Sequence, residues 1–166
     1  GSGELVAGLR KHPMRRALRV DQTTLAALDA VLTAYLASDG RPPLPTLDQL
    51  ALTVEELAER ARGLLAELAP AAPAGWTGAV VPGMSSVGGG TFSTTSIASQ
   101  LVQWTAPKDQ LEVCHQLLRM GDPALVGRMN QDGLAVDVRT LEPSEMPLVV
   151  AAFRAAWDRL NSQERD

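Results

Sequence analysis

Apolar residues recur at helical spacing along the first part of the chain, and this pattern predicts a series of helices. Residues 4–12 form a short amphipathic stretch, which Pro13 ends because a residue before proline is pushed out of the helical region. A longer stretch begins near Asp21 or Thr23 and ends at Leu36. Asp21 is a suitable N-cap for this second helix, since its side chain can accept a hydrogen bond from a free backbone N–H.

Capping signals predict two more helices after the Gly- and Pro-rich loop at residues 38–45. Thr46 with Gln49 and Thr53 with Glu56 both match the capping box, in which two side chains satisfy backbone donors at a helix start. The second of these helices is predicted to run to about Leu68 and to end before Pro70 and Pro73.

The pattern changes midway along the chain and predicts an α+β domain. Val, Thr, Ile and Trp residues punctuated by Gly and Ser predict strands near 76–82 and 99–105, joined by a glycine-rich loop. A helix, a hairpin around Asp132 and Gly133, and a last helix at about 144–161 follow. The order β-β-α-β-β-α favours a small antiparallel or mixed sheet with helices on one face.

These patterns divide the chain into three parts. Residues 1–2 are interpreted as an expression scar, residues 3–45 as a helical arm with an interdomain linker helix, and residues 46–166 as a C-terminal α+β domain. A length of 166 residues suits one domain plus such an arm. Because the chain begins within a helical pattern and without Met, we expect it to be a fragment.

Composition excludes several classes of protein. No apolar run approaches the roughly 18 residues of a membrane span, and the net charge of -4 disfavours a general nucleic-acid binder. Cys114 is the single cysteine, which excludes an intramolecular disulfide and a CxxC metal or redox site. Together with the lack of a secretory signal, this predicts a cytoplasmic protein.

A basic stretch, RKHPMRRALR, precedes the second helix. Its basic residues are Arg10, Lys11, His12, Arg15, Arg16 and Arg19. A helical turn would bring Arg19 to the same face as Arg15 or Arg16, and paired guanidinium groups suit phosphate or a similar oxyanion because each donates bidentate hydrogen bonds. The spacing alone favours a solvated face, or salt bridges to a partner subunit, over an anion site.

The other candidate residues favour structural roles. The stretch VGGGTFSTTS at 87–96 lacks the lysine of a phosphate-binding loop and leads into a strand, so we interpret it as a tight, mobile turn. Cys114 is expected in the core and His115 on the surface, since neighbours on a helix point in different directions. Asp137 is expected to form a cross-strand ion pair with Arg128, and the three tryptophans to pack in the core or at its edge. We find no metal-binding or catalytic constellation in the sequence.

Three stretches resemble bacterial selenocysteine synthase, the L-seryl-tRNA(Sec) selenium transferase family. LRKHPMRRALRVDQTTLAALDAVLTAYL is similar to the family segment H-P-x-x-R-A-L-R-V-D-K-x-T-L-A-A-L. SSVGGGTFSTTSIAS resembles its V-G-G-G-x-L-P-x-x-x-L-P-S loop, and VGRMNQDGLAVDVRTLEP resembles its I-G-R-I-x-D-G-x-L-x-L-D-L-R-T-L ending. The matches lie in the same order and cover nearly the whole chain. Departures are Gln22 in place of Lys, and Phe92-Ser93 and Ile97-Ala98 in place of Leu-Pro.

The resemblance implies the C-terminal part of a fold type I pyridoxal 5'-phosphate (PLP) enzyme. Its parent would convert seryl-tRNA(Sec) to selenocysteinyl-tRNA(Sec) with selenophosphate, as a cytoplasmic homo-oligomer. The family's S-G-D-K cofactor motif is absent, so we expect no PLP on this chain and no activity from it alone. Resemblance maps the anion-binding arginines onto Arg16 and Arg19, with Arg15 and Asp21 in supporting positions. No residue of this chain is assigned a catalytic, PLP-binding or metal-binding role.

Two alternatives stay open at this point. The chain could be a non-catalytic interaction domain whose basic arm docks on an acidic partner or on tRNA, in which case binding would weaken steeply with salt. It could also be the C-terminal domain of a related PLP enzyme that acts on a small phosphorylated amino substrate, which an arginine pair would serve equally well.

Overall fold

A computed structural model describes residues 2–87 and 92–163 of the chain. The chain divides into two compact units, Gly1–Asp48 and Gln49–Asp166. The first unit contains helices α1 (Gly3–Lys11) and α2 (Gln22–Ala37), with a 3-10 turn at Pro13–Arg15 between them. Both predicted helices are therefore confirmed.

The second unit has a four-stranded sheet and three long helices. Its elements are α4 (Val54–Leu68), β1 (Thr77–Val87), β2 (Phe92–Thr105), α5 (Lys108–Arg119), β3 (Arg128–Asn130), β4 (Gly133–Asp137) and α6 (Met146–Gln163). A shorter helix, α3 (Pro45–Ala51), precedes α4. The strands pair in the order β1-β2-β4-β3, and every pair is antiparallel. The predicted α+β class and element order are confirmed.

One of the two predicted capping boxes is present. The Thr53 hydroxyl accepts a hydrogen bond from the Glu56 backbone N–H, and the Glu56 carboxylate accepts one from the Thr53 N–H, so α4 begins where expected. The start predicted at Thr46 is wrong, because α3 already begins at Pro45. Proline suits the first helical position, where its missing N–H would have had no partner.

An aromatic cluster forms the centre of the core, between the sheet and the helices. Trp104 of β2 lies 5.0 Å from Trp157 of α6, measured between ring centroids, and Trp76 lies 5.8 Å from Trp157. Phe153 packs against both Trp104 and Trp157. All four rings are buried, as expected for the tryptophans. Edge-to-face aromatic pairs of this kind stabilise a core beyond their buried area.

The β1–β2 hairpin is longer than the sequence predicted. Pairing continues from Thr77 with Thr105 as far as Ser86 with Ser96, and β2 begins at Phe92. Part of the predicted loop at 87–96 is therefore strand, because pairing with β1 supplies the backbone hydrogen bonds that keep these residues extended. The rest of the predicted mobile turn, residues 88–91, lies outside the described residues.

The predicted hairpin at residues 128–137 is confirmed, with its turn one position earlier. Asn130 pairs with Gly133, so Gln131 and Asp132 form the two-residue connection. Gly133 has a φ of 135°, and a Cβ atom there would lie 2.0 Å from the carbonyl oxygen of Trp104. Only glycine allows this close approach of β4 to β2.

Asp137 is the centre of a buried polar network on the sheet face opposite Val136. Its Oδ2 accepts hydrogen bonds from Ser85 Oγ at 2.5 Å and Arg128 Nη2 at 2.5 Å, and its Oδ1 accepts one from Ser99 Oγ at 2.7 Å. The predicted Arg128–Asp137 ion pair is confirmed. Because the donors lie on β1, β2 and β3, one carboxylate joins all four strands.

Arg139 is buried next to this network, in a 3-10 turn that follows β4. Its backbone N–H donates to Asp137 Oδ1 at 3.1 Å. Its guanidinium donates to the carbonyl oxygens of Gln49 at 2.6 Å and Ala98 at 2.7 Å. The side chain therefore connects the end of α3 to β2, and backbone carbonyl oxygens replace water as its hydrogen-bond partners.

Cys114 lies in the core face of α5, as predicted, and is fully buried. Its neighbour His115 is half-buried instead of lying on the surface, with Nε2 3.2 Å from the carbonyl oxygen of Gly127. Burial raises the pKa of the Cys114 thiol from 9.0 to about 12, since the apolar surroundings disfavour a thiolate.

We expect Cys114 to make the fold sensitive to alkaline pH. The unfolded thiol ionises near pH 9.0 and the folded one near 12, so its contribution to stability is complete below pH 9.0 and is lost as pH rises towards 12. The stability difference between the wild type and Cys114→Ala should change by up to about 1.4 kcal/mol per pH unit in this window. Urea unfolding at several pH values measures it, and a constant difference between the two proteins would contradict the prediction.

Candidate anion-binding site

The basic stretch forms the connection between α1 and α2 and is called here the basic turn, residues 10–19. His12 is extended, with a ψ of 134°, and Pro13 starts the 3-10 turn. Two local hydrogen bonds lie within this turn: Met14 N–H donates to His12 Nδ1 at 3.2 Å, and Arg15 Nη1 donates to the carbonyl oxygen of Arg10 at 3.4 Å.

A surface depression of about 300 Å3 lies on the basic turn. It is lined by Arg10, His12, Pro13, Arg15, Arg16 and Arg19. Five of the six basic residues of the stretch line this depression, and Lys11 does not. The two arginines singled out by the sequence, Arg16 and Arg19, therefore lie beside each other together with three further basic side chains.

The arginines of the basic turn have no neutralising carboxylate among residues 2–87 and 92–163. In the described part of the chain, salt bridges involve Arg41, Lys108 and Arg128, and none involves an arginine of the basic turn. All lining side chains are exposed, so their positive potential reaches solvent and is weakened by salt. Uncompensated guanidinium groups around one depression can bind a tetrahedral oxyanion through bidentate hydrogen bonds.

Asp21 lies next in the sequence, but its carboxylate is engaged elsewhere. Oδ1 accepts a hydrogen bond from Thr24 N–H at 2.8 Å and Oδ2 accepts one from the Thr24 hydroxyl at 3.0 Å. The backbone hydrogen bond from Thr24 is the main reason that the pKa of Asp21 is lowered. Asp21 caps α2, as predicted, and thereby fixes the helix start at Gln22, three residues after Arg19.

The family resemblance singled out Arg16 and Arg19, and spacing along the chain could not place Arg10 and His12. These two residues line the depression where α1 ends and the chain continues as a 3-10 turn instead of as one helix. Pro13 is the sequence signal for that break, since it ends α1 and starts the turn.

No other described part of the chain combines these features. A larger depression of about 670 Å3, between the start of α5 and the β3–β4 turn, has Lys108 in its lining, and Lys108 Nζ lies 3.7 Å from Glu112. Within residues 2–87 and 92–163, no group of three His, Cys, Asp or Glu side chains could hold a metal ion. None of the described helices is long and apolar enough to cross a membrane.

The chain has two lysines, Lys11 and Lys108. Both are exposed, and Lys108 is paired with Glu112.

The family model of L-seryl-tRNA selenium transferase matches residues 1–142, which include the basic turn and the β3–β4 hairpin. The chain belongs to this family. The transferase family was also the one that the three sequence stretches resembled, so that assignment is confirmed.

Curated relatives support the same conclusion. The chain is 38% identical over 157 residues to the L-seryl-tRNA(Sec) selenium transferase of Nitratidesulfovibrio vulgaris, an alignment that covers 94% of this chain and 34% of the relative. The enzymes of Geotalea daltonii and Solidesulfovibrio magneticus are each 35% identical, over 93% and 94% of this chain and 34% of their own length. The chain thus spans about a third of the length of these transferases.

Proposed function

We propose that this chain is the C-terminal part of an enzyme that converts seryl-tRNA(Sec) to selenocysteinyl-tRNA(Sec), and that its basic turn binds the selenium donor, selenophosphate. The observation that carries the proposal is the group of five basic side chains around one depression, none of which forms a salt bridge within the described part of the chain. Selenophosphate is a tetrahedral oxyanion, and guanidinium groups match the geometry of its oxygens.

The residues of the basic turn would have different roles in binding the anion. Arg16 and Arg19 bind the anion directly, each through two parallel N–H donors. Arg15 is partly engaged with the Arg10 carbonyl and has a supporting role. Asp21 supports the site indirectly, because its cap fixes the start of α2 next to Arg19. The remaining part of the pocket belongs to the rest of the transferase or to a neighbouring subunit.

The cofactor would be held by the part of the transferase that this chain does not include. PLP, when bound there, supplies an electron sink for chemistry at the seryl group. The present chain would supply anion binding and oligomer contacts, and would be inactive alone. The apolar side chains that α2 exposes, including Leu25, Leu28 and Leu32, suit contacts within a cytoplasmic homo-oligomer.

Replacing Arg16 and Arg19 with alanine in the complete transferase tests this function. We expect the rate of selenium transfer at low selenophosphate to fall at least about 100-fold, because the donor anion loses its bidentate partners. Binding of seryl-tRNA should be unchanged. Selenium transfer is measured at several selenophosphate concentrations with purified variants.

Two controls accompany this experiment. Lys11→Ala removes a basic side chain outside the depression, and Arg41→Ala removes an arginine that is paired with Asp48. Both should retain nearly the wild-type rate. A wild-type rate in the Arg16 and Arg19 double variant would eliminate the proposed site.

The exposure of these arginines also favours a second candidate function, docking on the RNA backbone. In that case the double variant would weaken tRNA binding and reduce its dependence on salt, while the KM for selenophosphate would stay unchanged. The same side chains would also suit a small phosphorylated amino substrate. That alternative predicts activity without tRNA.

A further inference from the structure

We propose that His12 is a neutral hydrogen-bond donor to the anion bound by the basic turn. The inference rests on the proposed anion-binding function and adds a residue to it. His12 lines the same depression as Arg16 and Arg19, and it is the lining side chain that can donate a hydrogen bond without a permanent positive charge.

A local hydrogen bond selects the tautomer of His12. The Met14 backbone N–H donates to Nδ1 at 3.2 Å, so Nδ1 must be an acceptor without a proton. A neutral imidazole carries one proton, and that proton therefore lies on Nε2. Protonation of Nδ1 would break this bond and leave the Met14 N–H without its partner.

The hydrogen bond from Met14 and the extended backbone of His12 also restrict the position of the imidazole ring. His12 precedes proline and is extended, with φ -69° and ψ 134°, as a residue before proline prefers. Its Nδ1 is held at the start of the 3-10 turn. An arginine reaches the depression on a long flexible stem, whereas His12 presents its donor from a ring with two side-chain torsions. His12 would therefore orient the anion, while the arginines supply most of the attraction.

This arrangement favours a tetrahedral oxyanion over a planar carboxylate. The arginines and His12 line one depression, so their N–H donors approach a bound anion from several directions. The four oxygens of inorganic phosphate point in different directions, whereas the two oxygens of acetate lie in one plane. We therefore expect His12 to matter for phosphate and to have no effect on acetate binding.

The test compares the wild type with His12→Asn on the 166-residue chain. Asparagine is a favoured N-cap residue, so its side-chain oxygen can still accept the hydrogen bond from Met14 N–H while the Nε2–H donor is removed. Titration with inorganic phosphate at about pH 8, followed by NMR, should show affinity reduced about three- to tenfold. Acetate binding should not change, and Lys11→Ala serves as the matched basic control.

The nitrogen chemical shifts of the imidazole give a second readout. They should identify the Nε2–H tautomer of His12 in the free chain and a shift of Nε2 on addition of phosphate. Protonated Nδ1, or equal phosphate affinity in His12→Asn and the wild type, would overturn the inference while leaving the proposed function intact. If the Arg16 and Arg19 variants also bound phosphate normally, the proposed anion site itself would be contradicted.

Discussion

Asp137→Ala is expected to lower the free energy of unfolding of the second unit by about 3 kcal/mol. The substitution leaves Ser85, Ser99 and Arg128 without their common acceptor on a buried sheet face. Removal of one partner of a buried ion pair can cost more, but Arg128 is half exposed and water can hydrate it after the change. Urea unfolding followed by tryptophan fluorescence measures the effect, since the aromatic cluster belongs to the same unit.

Asp132→Ala is the matched control, because Asp132 is exposed in the β3–β4 turn. Its effect should stay within about 0.5 kcal/mol. The loss of unfolding free energy caused by Asp137→Asn should lie between these two values, since the amide keeps one acceptor oxygen but loses the charge. Equal stability of Asp137→Ala and Asp132→Ala would show that the network contributes little.

Gly133→Ala is expected to destabilise the second unit by at least about 3 kcal/mol. The added methyl group would lie 2.0 Å from the Trp104 carbonyl oxygen, and the φ of 135° is unfavourable for any residue with a side chain. Relief requires β4 to move away from β2, which would break the pairing of Trp104 with Leu134. Thermal or urea unfolding would detect the loss.

Gly63→Ala is a control with an effect of opposite sign. Gly63 lies inside α4 with nothing within 4 Å of an added Cβ atom, so alanine should stabilise the helix by about 1 kcal/mol. The same change of residue type is therefore expected to stabilise at one position and destabilise at the other. Similar effects at both positions would contradict the close approach at Gly133.

Local signals in the sequence predicted much of the fold. The Thr53–Glu56 capping box and the Asp21 cap each depend on residues three positions apart, so spacing along the chain is sufficient to find them. The start at Thr46 failed because Pro45 competes for the same helix end. The extension of β2 was missed because Ser, Thr and Gly favour turns locally, and pairing with β1 decides otherwise.

The polar network around Asp137 was predictable only in part. Alternation along the hairpin was enough to pair Arg128 with Asp137, because the two strands are adjacent in sequence. Ser85 and Ser99 lie on strands whose register relative to β4 depends on the whole sheet. No local pattern distinguishes them from the other serines of the hairpin.

The candidate anion site was likewise predictable only in part. Spacing predicted that Arg19 lies near Arg15 or Arg16, and all three line one depression. The prediction assumed a helical turn, whereas the backbone forms a 3-10 turn followed by a further turn. Arg10 and His12 also line the depression, where the break between α1 and the 3-10 turn depends on local hydrogen bonds that residue spacing does not report.

Arg128 also determines how the sheet can open. It belongs to β3, at one edge of the sheet, and its Nη1 donates to the carbonyl oxygen of Met84 in β1, at the other edge, at 2.7 Å. Edge strands usually fray before central ones, and a detached edge exposes backbone groups that can recruit another chain. Here detachment of β3, or of β1 around Met84, would break a contact with the opposite edge, so local fraying at these positions costs additional free energy.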